Sequence, residues 1–419
     1  MPKPTVRIRR ETTKIDRIFG RLAARERLAH PVIGMEAEFN VYLDGTEIIP
    51  QNYWHHPRAF ITGPLLRRTS NSSQLPTGGA IYFDRGVIEV VTPVIEIDDL
   101  STARMVRNLW EQIGYVRGQL TAWGARSGHD VRLKAYSAHY NVSFERTRPG
   151  RRIGPLALLL AYLLPVPVAL VGTNRRSTGV GVRPRKNRVE VTVDFTPDPG
   201  LMLATAALIV GMVRQTIGWE SYAVSEIARR RLPVVAGVVP GKHTTRRGWL
   251  TKDYHYPVSP YTADVDEPIW RLADGRIASL RQIGLDIAWA FRRSIRKHSD
   301  PFSFRLLFAV LSGRARSLLD LPDRPVAYED VGRLCRWGGV IEELRDPSHT
   351  PFPDHRLSRS KYEQVFLKLV SGSLLGYRGR KYKPVGMKGW YHAIVRDQES
   401  GRDRLISLDQ LVPLLSDWG

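Results

Sequence analysis

The chain has 419 residues, with 63 Lys and Arg against 41 Asp and Glu, for a formal net charge of +22 at pH 7. Its hydrophobic content of 42% supports two or three domains, or one large catalytic unit with an appendage, and excludes wholesale disorder, collagen and mini-protein scaffolds. A single cysteine, Cys335, excludes an intrachain disulfide and any Cys-rich metal cluster, and fits a reducing, cytoplasmic location.

The first 30 residues are rich in Arg and Lys without a long apolar stretch, so no secretory signal is read there. Ile15, Ile18, Phe19 and Leu22 fall at helical spacing and predict an amphipathic helix docked on the body. From Val32 to Leu43 apolar and polar residues alternate, which puts Glu36, Glu38 and Asn40 on one face of a strand. A polar, Gly-containing stretch over 67–79 leads into AIYFDRGVIEVVTP, read as one strand that Pro93 ends and that carries Asp84 and Glu89. Met105, Leu109, Ile113, Val116 and Leu120 mark a helix with Gly124 as its cap.

Tyr136 to Glu145 alternates again, with His139, Asn141 and Ser143 on one face. The apolar run from Leu156 to Val171 is broken by Pro165 and Pro167 and is shorter than the ~20 residues of a spanning helix, so it predicts buried core and no membrane segment. A basic loop over 174–187 precedes RVEVTVDF, where Arg188, Glu190, Thr192 and Asp194 alternate. Further helices are predicted over 201–216, 278–298, 304–319 and 361–370. From residue 371 the composition turns Gly-rich, aromatic and basic, so the expected organisation is a catalytic unit over 1–370 and a small β-containing domain over 371–419. His349 and His355 read as loop residues, and Cys335 as an inert thiol.

A half-buried strand carries its charges toward water, so any one of these acids reads as an ordinary wet face. Glu36, Glu38, Glu89 and Glu190 together, with His139, are harder to leave uncompensated, because like charges on one sheet face repel unless a cation lies between them. Hard divalent cations accept carboxylate oxygens and bridge them to nucleotide phosphates. Such a face, with arginines nearby, suits a metal–ATP cradle.

Gly34-x-Glu36-x-Glu38, Glu89 followed by Thr92-Pro93, His139-x-Asn141-x-Ser143, the Leu-Pro run into an Asn/Ser-containing loop, and Arg188-x-Glu190 with Asp194 beyond it stand in an order that resembles the glutamine-synthetase-like carboxylate–amine ligases. The similarity covers roughly residues 30–215. The Leu-Pro run favours the glutamate–cysteine ligase branch. Tyr82-x-Asp84-x-x-x-x-Glu89-x-x-x-Pro93 is similar to the branch that attaches or removes the prokaryotic ubiquitin-like protein Pup.

The resemblance implies an α+β fold, with a curved antiparallel sheet as cradle, helices on its outer side and a small C-terminal domain. It implies Glu36, Glu38, Glu89 and Glu190 as ligands of Mg2+ or Mn2+, and His139, Asn141, Ser143, Arg183 and Arg185 around ATP. Arg188 would stabilise the transferring phosphoryl group, and Asp84 would act as base. Two positions depart from the pattern: Thr192 stands where an Arg contacts the γ-phosphate, and Tyr140 where Pup ligases have an acid.

The leading expectation is an ATP-dependent ligase joining an acidic carboxylate substrate, an acidic peptide or protein included, to an amine. A depupylase-like amide hydrolase on the same fold is the first alternative. A non-catalytic nucleic-acid binder is the second, because Tyr377, Tyr382, Trp390 and Tyr391 interleave with Arg378, Arg380, Lys381, Lys383 and Lys388. The basic residues concentrate in the N-terminal segment, the 175–188 loop and the tail, where they would steer an acidic partner toward the acidic strands.

Overall fold

The computed structural model describes residues 28–69, 72–145, 151–243, 247–252, 254, 256–324, 328, 358–377, 379–416 and 418. The expected N-terminal helix, Cys335, His349, His355 and Arg378 lie outside them.

The strands in chain order are β1 (Val32–Leu43), β2 (Thr46–Ile48), β3 (Leu66–Thr69), β4 (Ser72–Gln74), β5 (Ala80–Asp84), β6 (Val87–Val91), β7 (Ile95–Glu96), β8 (Val131–Ser143), β9 (Val180–Pro184) and β10 (Arg188–Asp194). They continue with β11 (Gly241–Lys242), β12 (Trp249–Thr251), β13 (Trp270–Arg271), β14 (Ile277–Ala278), β15 (Leu375–Tyr377), β16 (Arg380–Lys388), β17 (His392–Asp397) and β18 (Asp403–Ser407). All but β13 and β14 join one open sheet in the order β11-β12-β9-β10-β8-β1-β6-β5-β4-β3-β16-β17-β18, antiparallel except where β16 meets β3. The fold is therefore α+β around a large, mostly antiparallel sheet, as expected from the sequence.

Alternation explains which face is buried. Met35, Ala37, Phe39 and Val41 of β1 are fully buried, and Phe39 meets Phe195 edge-on at 5.4 Å. Helix α1 (Ser101–Ser127) packs against this side of β1 and β6. The apolar run becomes α2 (Ile153–Leu163) and α3 (Pro165–Gly172), bent by 62° at Pro165 and buried in the main core. Helix α4 (Pro199–Ile217) has the length and apolarity to cross a membrane, but 89% of that stretch is buried here, and α5 (Leu280–Lys297) and α6 (Pro301–Leu311) pack on it.

Two local features differ from simple alternation. The segment read as one strand over 80–93 is a hairpin: Arg85 (φ 48°) and Gly86 (φ 101°) form a two-residue turn of the kind that matches strand twist, which puts Asp84 beside the tip. In β8, Glu38 faces Ser137 and Phe39 faces Ala135, so Tyr136 is an extra residue with no partner on β1. Strict alternation would bury Tyr136 with Ala138 and Tyr140, yet it is 60% exposed.

A second core holds α7 (Lys361–Ser371) and β15 to β18, and it takes in Val32 and Leu66 of the main sheet. The C-terminal unit thus begins its packing at α7, upstream of the composition change. Tyr382 is buried in this core and Trp390 packs on Phe366 at 5.6 Å, so these tail aromatics serve packing.

Helix α7 is tied to α1 by a buried polar network: Arg107 Nη2 donates to Glu363 Oε1 at 2.6 Å, Asn108 donates to the same oxygen, and Glu363 caps its own helix through Ser360 N at 2.7 Å. Removing Glu363 takes from the buried Arg107 charge the carboxylate it meets at 2.6 Å, and Glu111 at 3.4 Å is a longer contact. Glu363→Ala is expected to cost about 3 kcal/mol, read from the urea midpoint. A loss within experimental error would mean the network contributes no stability.

Candidate functional site

Four neighbouring strands converge on the polar sheet face. On β1, Glu36 lies opposite His139 of β8, and Glu38 lies opposite both Glu89 of β6 and Ser137 of β8. On β10, Glu190 lies opposite Asn141 and Thr192 opposite His139. Glu36, Glu89 and His139 bring one ligand atom each within 4.8 Å of one another. Ser137 orients the neighbours, because its Oγ donates to Glu38 Oε2 at 2.6 Å and lies 3.2 Å from His139 Nε2. Glu38 itself is 3.8 Å from His139.

The carboxyls of Glu36 and Glu89 share a hydrogen bond, and the pair splits in acidity. Burial alone would raise Glu36, but the Glu89 hydrogen bond, His139, Arg188 and Asn141 together outweigh it and hold Glu36 at about 2. Burial and then the Glu36, Glu38 and Asp84 charges push Glu89 well above the carboxylate range, so it retains a proton. Two oxygens and an imidazole nitrogen of this kind fit a divalent cation, which would take the place of that proton.

A divalent cation held by this cluster would displace that proton, so titration calorimetry with Mg2+ in buffers of different ionisation enthalpy should show up to one proton released and binding that tightens as pH rises toward the raised Glu89 value. Heats independent of buffer would place the metal elsewhere. Without metal, stability should fall as pH rises from about 4.5 toward that value, because the folded pair keeps a proton that the unfolded chain has lost. The low Glu36 value acts below this window, and its contribution is lost as pH falls from 4.5 toward 2.

Glu190 has a different environment. It is fully buried, Arg183 pairs with one of its oxygens, Arg185 Nε donates to the other at 2.5 Å, and Arg188 Nη2 lies 3.9 Å away. The short β9–β10 hairpin brings Arg183 directly across from it. Asn141 bridges the two clusters: its Nδ2 donates to Glu36 at 2.6 Å, and its Oδ1 accepts from Arg188 Nε at 2.6 Å. Ser143 is spent on the fold, with its Oγ accepting from Val32 N at 2.9 Å and donating to Glu145 at 2.5 Å.

Above this face lies an open cavity of about 780 Å³, lined by Glu36, Glu38, Asp84, Glu89, His139, Arg183 and Arg185. Arg188, Asn141 and Ser143 line instead a small pocket at the other end of the strands, closed by Trp390 and Tyr391 of the C-terminal unit. Behind that end Arg68 stacks on Trp390 at 4.1 Å and faces the Tyr82 ring at 5.7 Å.

Beside Thr192 and Asp194, which the sequence marks, the lining includes residues that it does not single out as site residues, among them His243, Tyr136, Arg176 and Lys252. His243, from a loop without periodicity, packs over Gly181 and Thr192, where a Cβ on Gly181 would come within 3.3 Å of both side chains. Thr192 Oγ1 is buried without a hydrogen-bond partner among the described residues. Asp194 accepts from Asn174 Nδ2 at 3.1 Å, and burial outweighs its hydrogen bonds and raises it to about 6. Tyr136, Arg176 and Lys252 complete the rim.

No family model and no curated protein matches the sequence. Among solved structures, the chain is similar to one described as the complex between prokaryotic ubiquitin-like protein Pup and its ligase PafA. That likeness has a TM-score of 0.48 and 10% identity and covers 93% of each chain.

Proposed function

We propose that the chain is an ATP- and Mg2+-dependent carboxylate–amine ligase of the glutamine-synthetase-like kind. The observation that carries the reading is the meeting of Glu36, Glu89 and His139 on one sheet face, with the arginine cluster around Glu190 next to it. The ordered motifs from Gly34 to Asp194 support the same reading.

Glu36, Glu89 and His139, with Glu38 alongside, would hold the cation. When bound, Mg2+ neutralises phosphate charge and polarises the phosphoryl oxygen. The protein's own cations act beside it. Arg183 reaches 3.5 Å from His139 while pairing with Glu190, so β9 supplies the charge that Thr192 lacks on β10. Glu190 serves here by holding Arg183 and Arg185 in place, which goes beyond the ligand role the sequence implied. Arg188, fixed by Asn141, offers a further donor to the transferring group.

A substrate carboxylate oxygen attacks the γ-phosphorus, the bond to ADP breaks, and an acyl phosphate forms. An amine then attacks the acyl carbon, Asp84 takes the ammonium proton, and phosphate leaves as the amide forms. Full-length protein with ATP, Mg2+, hydroxylamine and a pool of carboxylates should yield an acyl hydroxamate and one ADP per product. Amide loss from a glutamine-type substrate without net ATP consumption would move the chain to the hydrolase reading. Neither outcome under any carboxylate would end the ligase reading.

A further inference from the structure

We propose that Tyr136, with Arg176 and Lys252, forms the recognition site for the non-nucleotide substrate, and that this site selects a carboxylate compound carrying further carboxylates beyond the one that reacts. The inference rests on the ligase reading for the identity of the reacting group, but its parts are independent of it.

The strand registers give the cavity two ends. Following β1 from Glu36 to Glu38 and Asn40 leads, on the neighbouring strands, to Ser137, Val87, Asp84 and Asp194. The opposite direction leads to Asn141, Ser143 and Arg188 under Trp390. Asp84, the candidate base, thus shares its end with the bulge at Tyr136. That end is where both bond-forming partners must meet, so the nucleoside belongs at the other.

A bulge costs a strand its regular pairing and re-aims one side chain. Here it lifts a large aromatic ring out of the apolar face and leaves it 60% exposed on the cavity rim, one residue from Ser137, which orients Glu38 and His139. A ring in that position offers a flat platform for an aliphatic or peptide chain.

The rim cations differ from the inner ones. Arg183 and Arg185 are committed to Glu190, whereas the side chains of Arg176 and Lys252 are exposed and make no ion pair among the described residues. Arg176 follows Asn174 on the loop before β9, and Lys252 follows β12, which pairs with β9 at Val180, so both stand at the Asp194 level. Two unspent cations beside an exposed ring suit an extended anionic chain.

Binding tests this apart from turnover. Fluorescein-labelled pentaglutamate, with pentaglutamine as the neutral probe, is titrated with full-length protein and Mg2+ and followed by anisotropy. The wild type should prefer pentaglutamate. Arg176→Gln with Lys252→Gln should weaken it about tenfold, and the surface pair Arg293→Gln with Arg296→Gln should not. Tyr136→Ala should weaken both peptides several-fold, while Tyr136→Phe, which keeps the ring, should not.

Equal losses in the two charge pairs would reduce the effect to net charge, and would overturn the proposal, as would absent pentaglutamate binding or unaltered binding in the rim variants. Selective binding without hydroxamate formation would leave this site standing and remove the ligase reading. Hydroxamate formation with unaltered rim variants would do the reverse.

Discussion

Glu36→Gln should abolish metal-dependent nucleotide turnover, lowering ADP formation by about a thousandfold, while leaving the chain folded at neutral pH without metal. Glu36 accepts from Asn141, shares a hydrogen bond with Glu89 and is one of the three groups whose atoms converge. An amide of the same shape keeps the space filled but loses the charge that a cation requires. It also relieves the repulsion that pushes Glu89 upward, so Glu89 should then titrate closer to an ordinary carboxyl. Two readouts check this: turnover of ATP, and the rise in thermal midpoint that the wild type should show with Mg2+ if the ion binds the folded state. Retention of both in Glu36→Gln would remove the cation from this cluster.

Asp84→Asn should separate the two halves of the reaction. Amide formation with an alkylamine, protonated at neutral pH, should fall roughly a hundredfold or more for want of a base. Trapping by hydroxylamine, which is largely unprotonated there, should persist. The alkylamine rate of the variant should recover partly as pH rises and the free amine accumulates, giving a profile displaced upward from wild type. Parallel losses with both nucleophiles would make Asp84 part of the phosphoryl-transfer machinery instead. Its position beside the Arg85–Gly86 turn, on the cavity rim, gives it access to an incoming amine.

The polar face was legible because charge and apolarity alternate strictly in β1, in β10 and in β8 beyond Tyr136, so that only one arrangement buries the apolar half. Which strands touch was not legible from periodicity: Glu36 and His139 are about a hundred residues apart in sequence, and pairing over that distance is settled by tertiary packing. The hairpin at Arg85–Gly86 was missed because Arg seldom adopts positive φ, so the segment lacks the Asn-Gly or Asp-Gly signal of such turns. The bulge was missed because Tyr136 reads as the start of the apolar row that Ala138 and Tyr140 continue; the only sign of it is the slip by one at Ala135–Tyr136, which does not tell which residue is turned out. Glu190 matched the face expected of it; its arginine surroundings come from a hairpin whose register the composition of a basic loop does not encode. His243 belongs to no periodic segment at all.

The contact between Gly386 of β16 and Arg67 of β3 carries a consequence for how the molecule can be shortened. A chain ending before α7 would finish its sheet at β3, with Leu66 and Val32 uncovered and the Arg68 guanidinium deprived of Trp390. An uncovered strand edge flanked by apolar surface invites pairing with another copy. The C-terminal unit thus protects the open sheet from self-association, and excising it should yield aggregates in place of a soluble core.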